Sequence, residues 1–169
     1  MEKWLDGYNK EKLNELQKIY QPIEETEEEQ YRPYFEFANC EYPNVKILKK
    51  YIHIIKELLV SNCGHIKYNG KDIPSSLVAD GPNKGINFGR NDHYREILFP
   101  DLPIKRYAFF TYRLVAEVWC NNPNPIKYTT VHHIGNESYD NKNNLLFVTR
   151  FQHFSIRHNR FKRHIEYTK

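Results

Sequence analysis

The sequence predicts an α+β fold: a small antiparallel sheet, a C-terminal unit of two strands and a helix, and a helical N-terminal appendage. Three observations carry this. Asn69-Gly70 stands between two short runs that suit strands, and Asn-Gly is the preferred dipeptide of a type I′ hairpin turn. Leu145-Leu146-Phe147-Val148 is a strand-length apolar run that leads directly into Thr149-x-x-Gln152, the form of a capping box at a helix start. Residues 4–20 place Trp4, Leu5, Tyr8, Leu13, Leu16, Ile19 and Tyr20 close to a helical period, with Lys and Glu between them.

Charge divides the chain along similar lines. The 169 residues carry a formal net charge of +4. Residues 1–45 account for −6 and residues 46–169 for +10. We therefore expect an acidic, largely helical appendage over 1–45, an antiparallel β region over 46–111, and a unit with a basic C-terminal helix over 112–169. A basic body of this kind is the footprint of a polyanion-binding domain. The block Glu24-Glu25-Thr26-Glu27-Glu28-Glu29 reads as a solvated helix start or linker. Tyr31 to Pro43, rich in aromatics, receives no assignment.

From Val45 to Leu59 the apolar spacing suits a helix, while Leu58-Leu59-Val60 suits a strand equally well, and periodicity leaves both open. Gly64–Tyr68 and Lys71–Ile73 form the hairpin about Asn69-Gly70. Ala79 to Asp92, with Gly81, Gly85, Gly89 and Pro82, reads as a loop that offers Lys84 and Arg90 to phosphates. Tyr94–Phe99 and Ile104–Phe109 make a second hairpin about Pro100-Asp101-Leu102-Pro103. Its Arg95, Lys105 and Arg106 suit a β-ribbon lying in a DNA groove. A helix over Tyr112–Cys120, stopped by Pro123 and Pro125, should bury Val115, Val118 and Trp119.

The chemistry-bearing residues gather in the last unit. Tyr128-Thr129-Thr130-Val131 is β-branched and aromatic and reads as a strand that runs on to His132 and His133; residues 135–143 are turn chemistry throughout. Thr149 is the expected N-cap, with Phe151, Phe154 and Phe161 forming an apolar face together with Ile156 or Ile165. His153 then falls in the first helical turn. Neighbouring strand residues face opposite ways, so His132 and His133 have different tasks. A sensible division gives His132 and His153 a cation between strand and helix, and leaves His133 free beside it as a general base. Asn144 would hydrogen-bond backbone across the hairpin. Basic residues of the tail, Arg157 and Arg160 among them, are candidates for phosphate contacts.

These residues resemble a known family. His132-His133 on a strand, Asn144-Leu145 eleven residues beyond the second histidine, and His153 nine residues beyond the asparagine form a pattern similar to that of the HNH, or ββα-metal, nucleases. Arg113-Leu114-Val115-Ala116-Glu117-Val118-Trp119 with Asn122-Pro123-Asn124-Pro125 resembles the segment that precedes the motif in HNH homing endonucleases of phage and intron origin. Val60-Ser61-Asn62-x-Gly64-x-Ile66 resembles the opening of their DNA-contacting sheet. Together these cover about residues 58–160. The resemblance implies a metal-dependent DNA endonuclease in which His133 activates water, Asn144 orients the catalytic loop, and His132 and His153 bind one divalent ion. Mg²⁺ or Mn²⁺ is expected, with Zn²⁺ or another transition metal as the alternative. His132 stands where the homing branch often has Asp, and Tyr112 where a His is usual. Two imidazoles without a carboxylate favour borderline metals.

A nonspecific nuclease of colicin or host-defence type remains open, as do a noncatalytic DNA-binding protein with the HNH fold and an RNA substrate. DNA is the expected partner, with no small-molecule cofactor and the oligomeric state left undecided. Cys40, Cys63 and Cys120 form neither a zinc motif nor a disulfide framework. With no secretory or membrane-spanning run in sight, the expectation is a soluble, cytoplasmic protein without a signal peptide.

Overall fold

The computed structural model describes residues 28–77, 94–103, 109–134 and 139–154. The expected helix over 4–20, most of the acidic block, the loop with Lys84 and Arg90, the strand with Lys105 and Arg106, and the tail with Arg157 and Arg160 lie outside the described residues.

The chain is a small α+β fold. In order it forms β1 (Tyr31–Pro33), α1 (Tyr34–Phe37), α2 (Pro43–Lys49), β2 (Leu58–Ser61), β3 (Ile66–Tyr68), β4 (Lys71–Ile73), β5 (Ser76–Leu77), β6 (Arg95–Ile97), β7 (Phe109–Phe110), α3 (Thr111–Trp119), β8 (Thr130–His133) and β9 (Leu145–Val148). Residues 150–154 begin a further helix, α4. Among the described residues the strands make three antiparallel sheets, in the orders β1-β2-β3-β4, β5-β6-β7 and β8-β9.

The Asn69-Gly70 turn has the geometry its residues imply. Both have positive φ, 50° and 77°, as a type I′ turn requires. The asparagine also contributes its side chain: Asn69 Oδ1 accepts from the backbone amides of Lys56 and Glu57 at 2.6 and 3.1 Å. The turn thus ties down the entry to β2.

Two segments differ from expectation. The stretch left open between helix and strand contains both, a helix at 43–49 and a strand at 58–61. Pro43 at the first helical position, where its missing N–H costs nothing, starts the helix. The unassigned segment after Tyr31 supplies the edge strand β1, with Arg32 opposite Val60. The sheet therefore begins before residue 45, where the charge changes sign. Gln30, Asn62 and Glu28 hold this edge: Asn62 Oδ1 accepts from the Gln30 amide at 2.8 Å, and Asn62 Nδ2 donates to the Glu28 carbonyl at 3.3 Å.

Helix α3 is the hub, touching β2, β6, β7, β8 and β9, one or more strands from each sheet. Leu114, Val115 and Ala116 are fully buried, as is the sequence's pattern of apolar residues at adjoining helical positions. Val118 is buried and Trp119 half-buried, its indole Nε1 donating to the Val60 carbonyl at 3.0 Å. At the other end Tyr68, Phe99 and Phe109 pack edge to face, with ring centres 5.1 and 5.2 Å apart, and join β3 to the second sheet.

Glu117 on α3 is a charged residue buried inside this core. It accepts from Arg113 Nε at 2.8 Å and from the Tyr34 hydroxyl of α1. Burial pushes the Glu117 carboxyl above its ordinary value, against the opposing pull of Arg113 and its hydrogen bonds. Burial and the nearby carboxylate push Tyr34 upward as well, so it stays a donor. Arg113 also donates to the Thr129 carbonyl, one residue before β8. The network thus runs from α1 through α3 to the strand that carries the histidines. None of the helices is long and apolar enough to cross a membrane among the described residues.

Candidate functional site

The β8-β9 hairpin sets the histidines. Pairing of Thr130 with Val148, Val131 with Phe147, His132 with Leu146 and His133 with Leu145 makes a regular ladder, so His132 and His133 leave the strand on opposite faces. Their surroundings differ accordingly.

On one face His132 meets His153. Helix α4 starts as its sequence requires: Gln152 N donates to Thr149 Oγ1 at 3.1 Å and Thr149 N donates to Gln152 Oε1 at 2.8 Å, a reciprocal capping box. His153 N then donates to the Thr149 carbonyl at 3.0 Å, the first full helical bond. This turn brings the ring of His153 to 5.5 Å from that of His132, centre to centre, at 75°. A metal held by an imidazole nitrogen at about 2.1 Å sits about 3.2 Å from the ring centre, so two rings at a tetrahedral angle stand about 5.3 Å apart. The observed ring separation is close to that spacing. Among the described residues no third His, Cys, Asp or Glu joins them.

Of the apolar face expected of α4, Ile156, Phe161 and Ile165 lie outside the described residues. Phe151 and Phe154 are 57% and 67% exposed, while Gln152 is buried. The capping box turns Gln152 inward, and Phe151 and Phe154, three residues apart, share the outward side.

On the other face His133 is enclosed. It is 4% exposed, with Tyr112 and Tyr94 ring centres at 4.9 and 5.7 Å. Its Nε2 lies 3.0 Å from Asp140 Oδ1, and both side chains are buried. Expected to stand free, His133 instead has a carboxylate partner. Asp140 carried no signal in the sequence beyond turn chemistry, because the loop conformation that closes the seven-residue gap has no periodicity to betray it.

Asn144 is fully buried just before β9, at the end of a 3₁₀ turn, Lys142–Asn144. Its backbone carbonyl accepts from the Ile134 amide at 2.9 Å across the hairpin, but its side chain acts within the loop, Nδ2 donating to the Tyr139 carbonyl at 2.7 Å. Asn141 Oδ1 in turn accepts from the Asn144 amide at 3.0 Å. Asn144 thus fixes the loop that holds Asp140. Of the expected phosphate contacts, Arg95 lies on β6 and is exposed. Lys84, Arg90, Lys105, Arg106, Arg157 and Arg160 fall outside the described residues.

Comparison with family models, with curated proteins and with solved structures gives no significant match to this chain.

Proposed function

We propose that the chain is a metal-dependent endonuclease of the HNH, or ββα-metal, type, acting on DNA phosphodiesters and of the site-specific homing kind. The observation that carries this reading is the pairing of His132 and His153 across the strand and helix, at a separation suited to one shared cation. His133 follows on the same strand with a carboxylate on its Nε2. The net charge of +10 over residues 46–169 suits a polyanionic substrate.

His132 and His153 offer two neutral nitrogen donors, and an ion held by them would stabilise charge developing on the phosphate and on the leaving oxygen. His133 takes the proton of an attacking water through the ring nitrogen that Asp140 does not occupy. The water oxygen bonds to phosphorus as the bond to the 3′ oxygen breaks, and that oxygen takes a proton from solvent. Asn144 keeps the loop shaped through its bond to Tyr139. Arg95 contributes a phosphate contact from β6.

The burial of His133 favours one other reading, a noncatalytic DNA-binding protein in which the His133–Asp140 pair is a structural pin. Supercoiled plasmid, incubated with wild type and His133→Ala in Mg²⁺, in Mn²⁺ and in chelator, separates the two. The nuclease reading expects metal-dependent nicking that falls about 100- to 10,000-fold in the variant, the contribution of a general base, with DNA affinity retained. Cut ends at one site would distinguish a homing enzyme from a nonspecific one. Absence of nicking with every metal, on the plasmid and on a random-sequence DNA library, beside intact DNA binding, would refute the enzyme.

A further inference from the structure

We infer that Asp140 is the positioning residue of the reaction: it fixes the tautomer of His133 so that Nδ1 is the ring's proton acceptor. The inference rests on the nuclease reading above and adds to it a residue and an orientation.

A carboxylate only accepts, so a neutral imidazole whose Nε2 lies 3.0 Å from Asp140 Oδ1 carries its hydrogen on Nε2. The lone pair is then on Nδ1. Tyr94 and Tyr112 flank the ring, which limits its rotation. The carboxylate is held with equal care. Gly64, in the turn between β2 and β3 with φ of +99°, lies against it: a Cβ there would stand 3.3 Å from Asp140 Cβ and 3.4 Å from the Asp140 carbonyl oxygen. The Lys142 amide donates to the Asn62 carbonyl at 2.9 Å, fastening the loop to the same turn. Asn144 Nδ2 holds the Tyr139 carbonyl on the other side. Three separate contacts thus set one short loop residue against one histidine.

The second oxygen points the same way. Asp140 Oδ2 is buried and has no hydrogen-bond partner among the described residues. A buried carboxylate oxygen without a partner is costly. Only the bond from Oδ1 to His133 offsets that cost within the described structure, which suits a group kept for what it does to the ring. The contact lies within the hairpin unit, yet the geometry of the carboxylate is set by the β2-β3 turn of a different sheet. A substitution in that turn therefore reaches His133 without touching it.

The test reads the ring directly. Nitrogen-15 NMR of His133 at one fixed pH is recorded for wild type, Asp140→Asn and Gly64→Ala, with plasmid cleavage and circular dichroism on the same samples. Wild type should show the Nε2–H tautomer. Asp140→Asn keeps the shape but can donate as well as accept, so it should give a mixed tautomer and a kcat lowered up to about 10⁴-fold with KM little changed, the scale seen when a triad carboxylate is made an amide. Gly64→Ala should move the His133 resonances in a chain that still folds. An Nδ1–H tautomer in wild type would overturn the inference. So would an Asp140→Asn variant that cleaves at the wild-type rate, in which case the nuclease reading stands. A wild type that cleaves neither the plasmid nor a random-sequence DNA library with any metal removes the nuclease reading, and the catalytic role of Asp140 with it.

Discussion

Replacing Glu117 by Gln tests the buried network that anchors α3. The Glu117 side chain is fully buried, and its carboxyl is raised above its ordinary value of 4.5 chiefly by burial. A raised acid binds its proton more tightly in the folded chain than in the unfolded one. Between 4.5 and the raised folded value the folded state therefore holds more protons, and stability falls as pH rises. The limiting slope is about 1.4 kcal/mol per pH unit. Gln at this position still accepts from Arg113 or Tyr34 and does not titrate. Near pH 4, where the carboxyl is mostly protonated in both states, wild type and Glu117→Gln should differ by less than about 1 kcal/mol, the scale of one neutral hydrogen bond. The difference should then move in favour of the variant as pH increases, and level off once the folded carboxyl has ionised. Urea unfolding of both chains at half-unit steps from pH 4 to pH 8 gives the curve directly. In heat unfolding, each kcal/mol in a chain of this size is worth roughly 2–4 °C in Tm. A flat difference, or one that moves in favour of wild type with rising pH, would show that the Arg113 ion pair outweighs burial and would refute the reasoning.

Two further substitutions probe the parts that place the site. Thr149→Ala removes the oxygen that accepts from Gln152 at 3.1 Å and should cost about 1 kcal/mol, the value of a helix N-cap. Since α4 carries His153, the same change should weaken Zn²⁺ or Mn²⁺ binding by up to about five-fold in calorimetry, a loss His132→Ala should exceed; unchanged stability would mean the cap contributes nothing. Gly70→Ala places a side chain at φ of +77°, where no atom lies within 4 Å of the new Cβ, so the cost is backbone strain alone, about 1 kcal/mol in chemical unfolding.

Much of the local structure is legible in the residues themselves. Asn69-Gly70 can hardly be other than a tight hairpin turn, because both positions tolerate positive φ and the flanking runs suit strands. Thr149 and Gln152 close on each other because the distance between them is fixed by the first helical turn. The alternation that separates His132 from His133 follows from strand geometry, and the approach of His153 to His132 follows from the strand and the cap together. Each of these depends on residues a few positions apart, where backbone geometry converts spacing into distance.

Partnerships between distant residues required the folded chain. Tyr34 and Glu117 meet because α1 packs on α3. Tyr31–Pro33 becomes a sheet edge because Ser61 to Leu59 lies opposite. Phe151 and Phe154 turn outward because the capping box spends the inward direction on Gln152. The partner of His133 was least accessible of all: Asp140 is seven residues away, but a loop of that length has many closures, and the turn at Gly64 with the bond from Asn144 selects one. Turns, caps and strand faces follow from residues a few positions apart, whose physics is local. Tertiary packing decided which side chains share a buried environment, since burial and hydrogen-bond satisfaction are properties of the whole chain.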